Sequence, residues 1–177
     1  MKARLFGIAA IALSVSVLAA ESPYQGEESR DIKALSEQEI EGYLNGKGMG
    51  LAKAAELNQY PGPRHVLDMA DDLALSKEQI SQTQTLFDDM QEEASLLGKQ
   101  LVDKERDLDQ QFSNASIDSE KLKALLSDIG ALQAKIRYAH LSAHLKQKSL
   151  LDEHQTKMYD QLRGYGASHG VEHNHSH

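Results

Sequence analysis

The chain has no cysteine and no tryptophan, only three prolines, and 5% aromatic residues. Without cysteine there are no disulfides and no thiolate chemistry. With so few aromatic and β-branched residues, a sheet would lack the side chains that usually build one. The core must come from Leu, Ile, Ala and Met, which suits helix-on-helix packing. After residue 20 no apolar run is long enough to span a bilayer, which takes roughly 20 residues. No Gly-x-Ser-x-Gly, His-Glu-x-x-His or Ser/His/Asp order is present, so no enzymatic activity is expected. Acidic pairs such as Asp71-Asp72 and Asp88-Asp89 read as solvated helix faces.

What is present begins with a leader. Lys2 and Arg4 precede an apolar stretch from Leu5 to Leu18, and Ala19-Ala20 lead into polar Glu21-Ser22-Pro23. This is the layout of a secretory signal peptide over residues 1–20, cleaved after Ala19 or Ala20. The expected location is therefore the periplasm, with no membrane insertion after cleavage. Residues 1–20 hold two basic residues and no acidic one. The remainder carries 17 Lys+Arg against 27 Asp+Glu, a net charge of −10. Such a chain is a poor partner for nucleic acid or anionic lipid.

Residues 21–61 read as a polar arm with short helices. Ser36 and Glu39 form a capping box for a first helix, with Ile40, Tyr43 and Leu44 on one stripe, ending at Asn45-Gly46. Gly46-Lys47-Gly48-Met49-Gly50 matches neither the P-loop nor the dinucleotide fingerprint and reads as a flexible joint. Leu51–Leu57 is one or two helical turns. Pro61-Gly62-Pro63 ends that helix and starts a short one over Arg64–Leu73.

The organising stretch is Ser76–Leu150, two long amphipathic helices predicted over about Lys77–Phe112 and Ser119–Leu150. Apolar residues recur at steps of three, four and seven: Ile80, Phe87, Met90, Ala94, Leu97, Leu101, Leu108 and Phe112 on the first, and Leu122, Leu125, Ile129, Leu132, Ile136 and Ala143 on the second. The connection around Ser113–Asp118 is short, so the helices must pack antiparallel. A last helix follows Asp152. The fold class expected is all-α: a long antiparallel hairpin domain over 62–165, with a His-rich flexible tail over 166–177.

The hairpin is bracketed by two copies of one signal, Leu75-Ser76-Lys77-Glu78-Gln79 and Leu151-Asp152-Glu153-His154-Gln155. In each, Ser76 or Asp152 caps a helix, Gln79 or Gln155 reciprocates, and Leu75 or Leu151 precedes the cap. This bracketing resembles the Spy/CpxP family of small periplasmic proteins, whose signature is a repeated Leu-Thr-x-x-Gln. Ser and Asp stand here for Thr and keep its capping role. The family is similar in build to periplasmic heavy-metal sensors and zinc-resistance proteins. The resemblance covers about residues 62–163 and does not explain 21–61. It implies a curved hairpin that forms a cradle-like homodimer. It also implies one of three roles: an ATP-independent chaperone for unfolding envelope proteins, a modulator of a membrane sensor protein, or a metal binder.

Two sets of residues bear on that choice. At about 100° per residue, Ala134, Tyr138, Leu141 and Leu145 point away from Ile129, Ile136 and Ala143. The second helix thus carries a second apolar stripe, available to the arm, a dimer mate or an unfolded client. His140 and His144 stand one helical turn apart, a spacing that lets two imidazoles bind one ion. His65 and Met69 share that spacing on the short helix, and Asp72, Asp88, Asp89 or Glu92 can add an oxygen. In the resemblance, ligands from an early helix meet those of the late hairpin helix. Such a set suits Zn, Ni, Co or Cu, and no cofactor is otherwise required. In the tail, His173, His175 and His177 alternate and can chelate a transition metal independently. The leading expectation is a non-enzymatic chaperone or envelope-stress modulator; the alternative is a heavy-metal-binding sensor or resistance protein.

Overall fold

The computed structural model describes residues 22–165. The leader and the tail histidines His173, His175 and His177 lie outside the described residues. Within them the fold is all-helical. A 3-10 turn at Glu27–Ser29 is followed by α1 (Glu37–Leu44), α2 (Lys53–Glu56), α3 (Pro63–Asp68), α4 (Lys77–Ser113), α5 (Ser119–Leu150) and α6 (Glu153–Leu162).

The caps explain where the helices begin. Ser36, Ser76 and Asp152 each accept from the N3 backbone amide, and Glu39, Gln79 and Gln155 each reach back to the cap. Asp118 caps α5 through the Lys121 amide at 2.9 Å. The two bracketing signals also meet. Gln79 Nε2 donates to Gln155 Oε1 and to the Leu150 carbonyl, both at 2.8 Å, while Gln155 Nε2 donates to the Leu73 carbonyl at 3.3 Å. The repeat therefore closes the open end of the hairpin as well as starting two helices.

α4 and α5, about 55 and 48 Å long at 1.5 Å per residue, pack antiparallel. Leu101, Ile129, Leu132 and Ile136 form the middle of the core, with Leu97 and Leu108 beside them. At the base, Val66, Leu73, Leu151 and Tyr159 gather α3, its following turn and α6. The seam departs from the apolar reading at both ends. Ile80 is 37% exposed and Phe112 56%. The inward position near the base is instead Thr83, which accepts from Gln147 Nε2 at 3.2 Å with both side chains fully buried. At the tip no third helix among the described residues lies across Phe112.

α3 is shorter than the predicted Arg64–Leu73. It ends at Asp68, and the chain turns through Ala74, whose backbone is left-handed (φ 48°). That turn buries Leu73 against the base and frees Ser76 to begin α4.

The arm packs on the hairpin. Ile32 and Leu35 are buried against Val102, and Tyr43 and Leu51 join the middle core. Lys33 is held to Asp109 through both its amide (3.2 Å) and its ammonium (3.1 Å). Gly98 permits the closest approach: a Cβ there would lie 2.1 Å from the Tyr43 carbonyl oxygen.

Candidate functional site

The arm leaves a cavity of about 430 Å³ between itself and the hairpin. Its roof is Gly46–Gly48, Ala52, and Gly62 to His65; its floor is Phe87, Met90 and Gln91 of α4 with His140, Ala143 and His144 of α5. The 3.6-residue repeat of α5 sets His140 and His144 on one face, and that face turns toward the arm.

His144 is pinned. Its Nδ1 lies 2.7 Å from the Tyr60 carbonyl oxygen. A carbonyl only accepts, so Nδ1 carries the hydrogen of this bond. Gly62 makes room for that ring, since a Cβ there would lie 2.9 Å from Cε1 and 3.0 Å from Nε2. His140 is buried, and its Nε2 has no hydrogen-bond partner. Burial, with a lesser contribution from His144, pushes its pKa below the ordinary histidine value, so the ring is neutral at physiological pH.

Behind His144 sits Glu56 of α2. Its Oε1 accepts from Tyr159 Oη (2.7 Å), Tyr165 Oη (3.0 Å) and Arg163 Nε (3.1 Å). Its Oε2 is buried without a partner, 3.9 Å from His144 Nδ1. Burial and the Glu56 carboxylate push the Tyr159 phenol far up, so Tyr159 stays a donor. Lys148 Nζ donates to the Gln59 carbonyl at 2.8 Å, fastening the same loop to α5.

The structure brings three of the four predicted helix ligands to one cavity: His65, His140 and His144. His65 is at the mouth, its side chain 44% exposed and its Nδ1 3.8 Å from Asp68. Met69 is elsewhere, packed against the Val66 and Leu73 cluster, because α3 ends at Asp68. The methionine in the cavity wall is Met90. Asp72, Asp88, Asp89 and Glu92 are exposed and do not line the cavity; the carboxylate beside the histidines is Glu56. Among the described residues no three His, Cys, Asp or Glu side chains meet at a point where an ion would be held. His140 and His144 stand one helical turn apart on the cavity floor, and the unpartnered Glu56 Oε2 lies 3.9 Å from His144 Nδ1.

The second stripe of α5 stays uncovered by the arm. Tyr138 is 69% and Leu145 57% exposed; Ala134 is exposed and Leu141 half-buried. The arm covers the neighbouring face, where Tyr43 and Leu51 meet Ile136 and Arg137 across a shallow groove. No described helix is long and apolar enough to cross a membrane.

No family model matches the chain, and no match is found among curated proteins or among solved structures. Its function rests on its own residues.

Proposed function

We propose that this is an exported, non-enzymatic Spy/CpxP-like protein that works by binding, holding unfolded envelope proteins without nucleotide. The observation that carries this reading is the stripe of Tyr138 and Leu145, with Ala134 and Leu141, left open after the arm has packed. Isolated exposed apolar residues are ordinary, but a stripe along one helix marks an interaction surface. The same face can serve a homodimer, whose paired hairpins would present their concave side to a client. The acidic chain adds long-range attraction for basic segments. The test is suppression of aggregation of a chemically denatured model client. The wild-type chain is expected to slow aggregation at stoichiometric ratio, and Tyr138→Ser/Leu145→Ser to lose that effect. Equal aggregation with and without wild-type protein refutes the reading.

A second reading, a heavy-metal-binding sensor or resistance protein, is favoured by the buried, neutral and unpartnered His140 Nε2 one turn from His144. Neutral imidazole is the ligating form. His140 and His144 would hold the ion, and Glu56 is the nearest carboxylate. Calorimetric titration of zinc, nickel, cobalt and copper into a chain ending at Tyr165 isolates this site from the tail histidines. Tight binding lost in His140→Ala/His144→Ala supports the metal reading; no binding removes it.

A further inference from the structure

We propose that the cavity between arm and hairpin binds a small organic anion with an apolar body, such as a medium-chain or aromatic carboxylate. This goes beyond both readings above, since it needs neither a metal nor a client. The first observation is a local reversal of charge. The whole chain has a net charge of −8, yet the cavity wall contains the cations Lys47 and Arg64 and no carboxylate; the nearest one, Glu56 behind His144, is paired with Arg163 at 3.1 Å.

The second is size. About 430 Å³ falls within the roughly 300–1,000 Å³ of small-molecule sites. A bare ion needs its ligand atoms within roughly 2.0–2.3 Å of one point, and the histidines are not gathered that way. The third is the division of the wall. Phe87, Met90, Pro63 and Ala143 provide apolar surface, whereas Lys47, Arg64 and His65 belong to the arm side. Arg64 lies over the Phe87 ring at 5.7 Å, so one cation already borders the apolar wall.

The cations are engaged, but outside the wall and weakly. Lys47 pairs with Glu41, and Arg64 with Asp68 at 3.1 Å, with all four side chains half or more exposed. Exposed pairs of this kind contribute little and exchange readily with a bound anion. Gly46 and Gly62 keep the roof thin: a Cβ at Gly46 would lie 2.7 Å from the Gln91 carbonyl oxygen, and one at Gly62 would strike His144.

The test is calorimetric titration of sodium octanoate into the chain beginning at Glu21, beside octyltrimethylammonium as a probe of equal apolar length and opposite charge, both below micellar concentration. One octanoate per chain is expected, bound at least tenfold more tightly than the cation. Arg64→Glu, on an exposed side chain, should weaken it about tenfold, the scale of reversing one charge near a partly desolvated anion. Ala52→Trp, which sets an indole in the cavity wall, should abolish it. Tyr138→Ser/Leu145→Ser should leave it unchanged, which separates the cavity from the α5 stripe. Circular dichroism of each variant confirms retained helix. Absence of saturable heat, equal affinity for the two probes, or unchanged affinity in both cavity variants overturns the proposal. No heat from octanoate, with zinc bound at fixed stoichiometry by the chain ending at Tyr165 and lost in His140→Ala/His144→Ala, overturns it in favour of the metal reading.

Discussion

Replacing Gly98 by Ala sets two effects of known sign against each other. Gly98 sits in the middle of α4, where Ala is favoured over Gly by about 1 kcal/mol. On an isolated helix the substitution would stabilise. Here the new Cβ would lie 2.1 Å from the Tyr43 carbonyl oxygen, 2.7 Å from its carbonyl carbon and 3.1 Å from its Cα. The obstacle is backbone at the end of α1, so no rotamer change relieves it, and α1 must move off the hairpin. Overpacking of this kind costs about 1–3 kcal/mol. The net expectation is a loss of up to about 2 kcal/mol, after the helix gain is subtracted. For a chain of this size that is a fall of up to about 8 °C in melting temperature. Hydrogen exchange locates the damage. Amides of α1 should lose protection, together with the Ile32 and Leu35 region that shares its cluster, while α5 from Leu125 to Ile136 keeps its own. A variant that melts higher than wild type with α1 still protected would refute the close approach of arm to hairpin.

Three further outcomes follow from buried polar groups. Thr83→Val removes the one acceptor of Gln147 Nε2 and should cost about 1–3 kcal/mol in urea unfolding, whereas Thr83→Val/Gln147→Leu should recover most of it, since no amide is then left unpaired. Gln79→Ala loses the returning bond of its capping box and the bonds to Leu150 and Gln155, about 1–2 kcal/mol; because Gln155 is its partner, Gln79→Ala/Gln155→Ala should cost less than the sum of the singles. His140 has a folded pKa below its unfolded value, so the unfolded chain takes up the proton first as pH falls. The stability it contributes is complete above the unfolded pKa, near 6.5, and is lost as pH falls from there toward the folded pKa. Urea midpoints at pH 7.5 and 5.5 should show that loss in wild type and a smaller one in His140→Leu.

Helix starts were legible because a capping box is local: Ser36, Ser76 and Asp152 declare themselves within four residues. The hairpin was legible because its period runs for many turns. The His140–His144 pair was legible for the same reason, since spacing along one helix fixes a shared face. Contacts across the fold were not. Glu56 looks like any acidic residue of a polar arm, and its partners Tyr159, Arg163 and Tyr165 stand 103 to 109 residues away. Met69 and Met90 were indistinguishable by type; what separates them is where α3 stops, at Asp68. Thr83 and Gln147 hid because a search for apolar repeats passes over polar residues that bury as a pair. Gly98 was invisible as a docking point because its meaning lies in the segment that crosses it.

The amide clasp between Gln79 and Gln155 gives the hairpin the mechanics of tweezers. The two arms are joined at one end by the covalent link around Ser116 and at the other by side-chain amides and a buried apolar knot. Glu56 ties α2 into that second end through Tyr159 and Arg163, so the arm segment and the clasp share one support. Near the covalent end, Phe112 is left bare and Lys33 to Asp109 is the brace from outside. The covalent link is the hinge, so spreading the hairpin requires the clasp to open. The Glu56 contacts that tie α2 to that end oppose such opening.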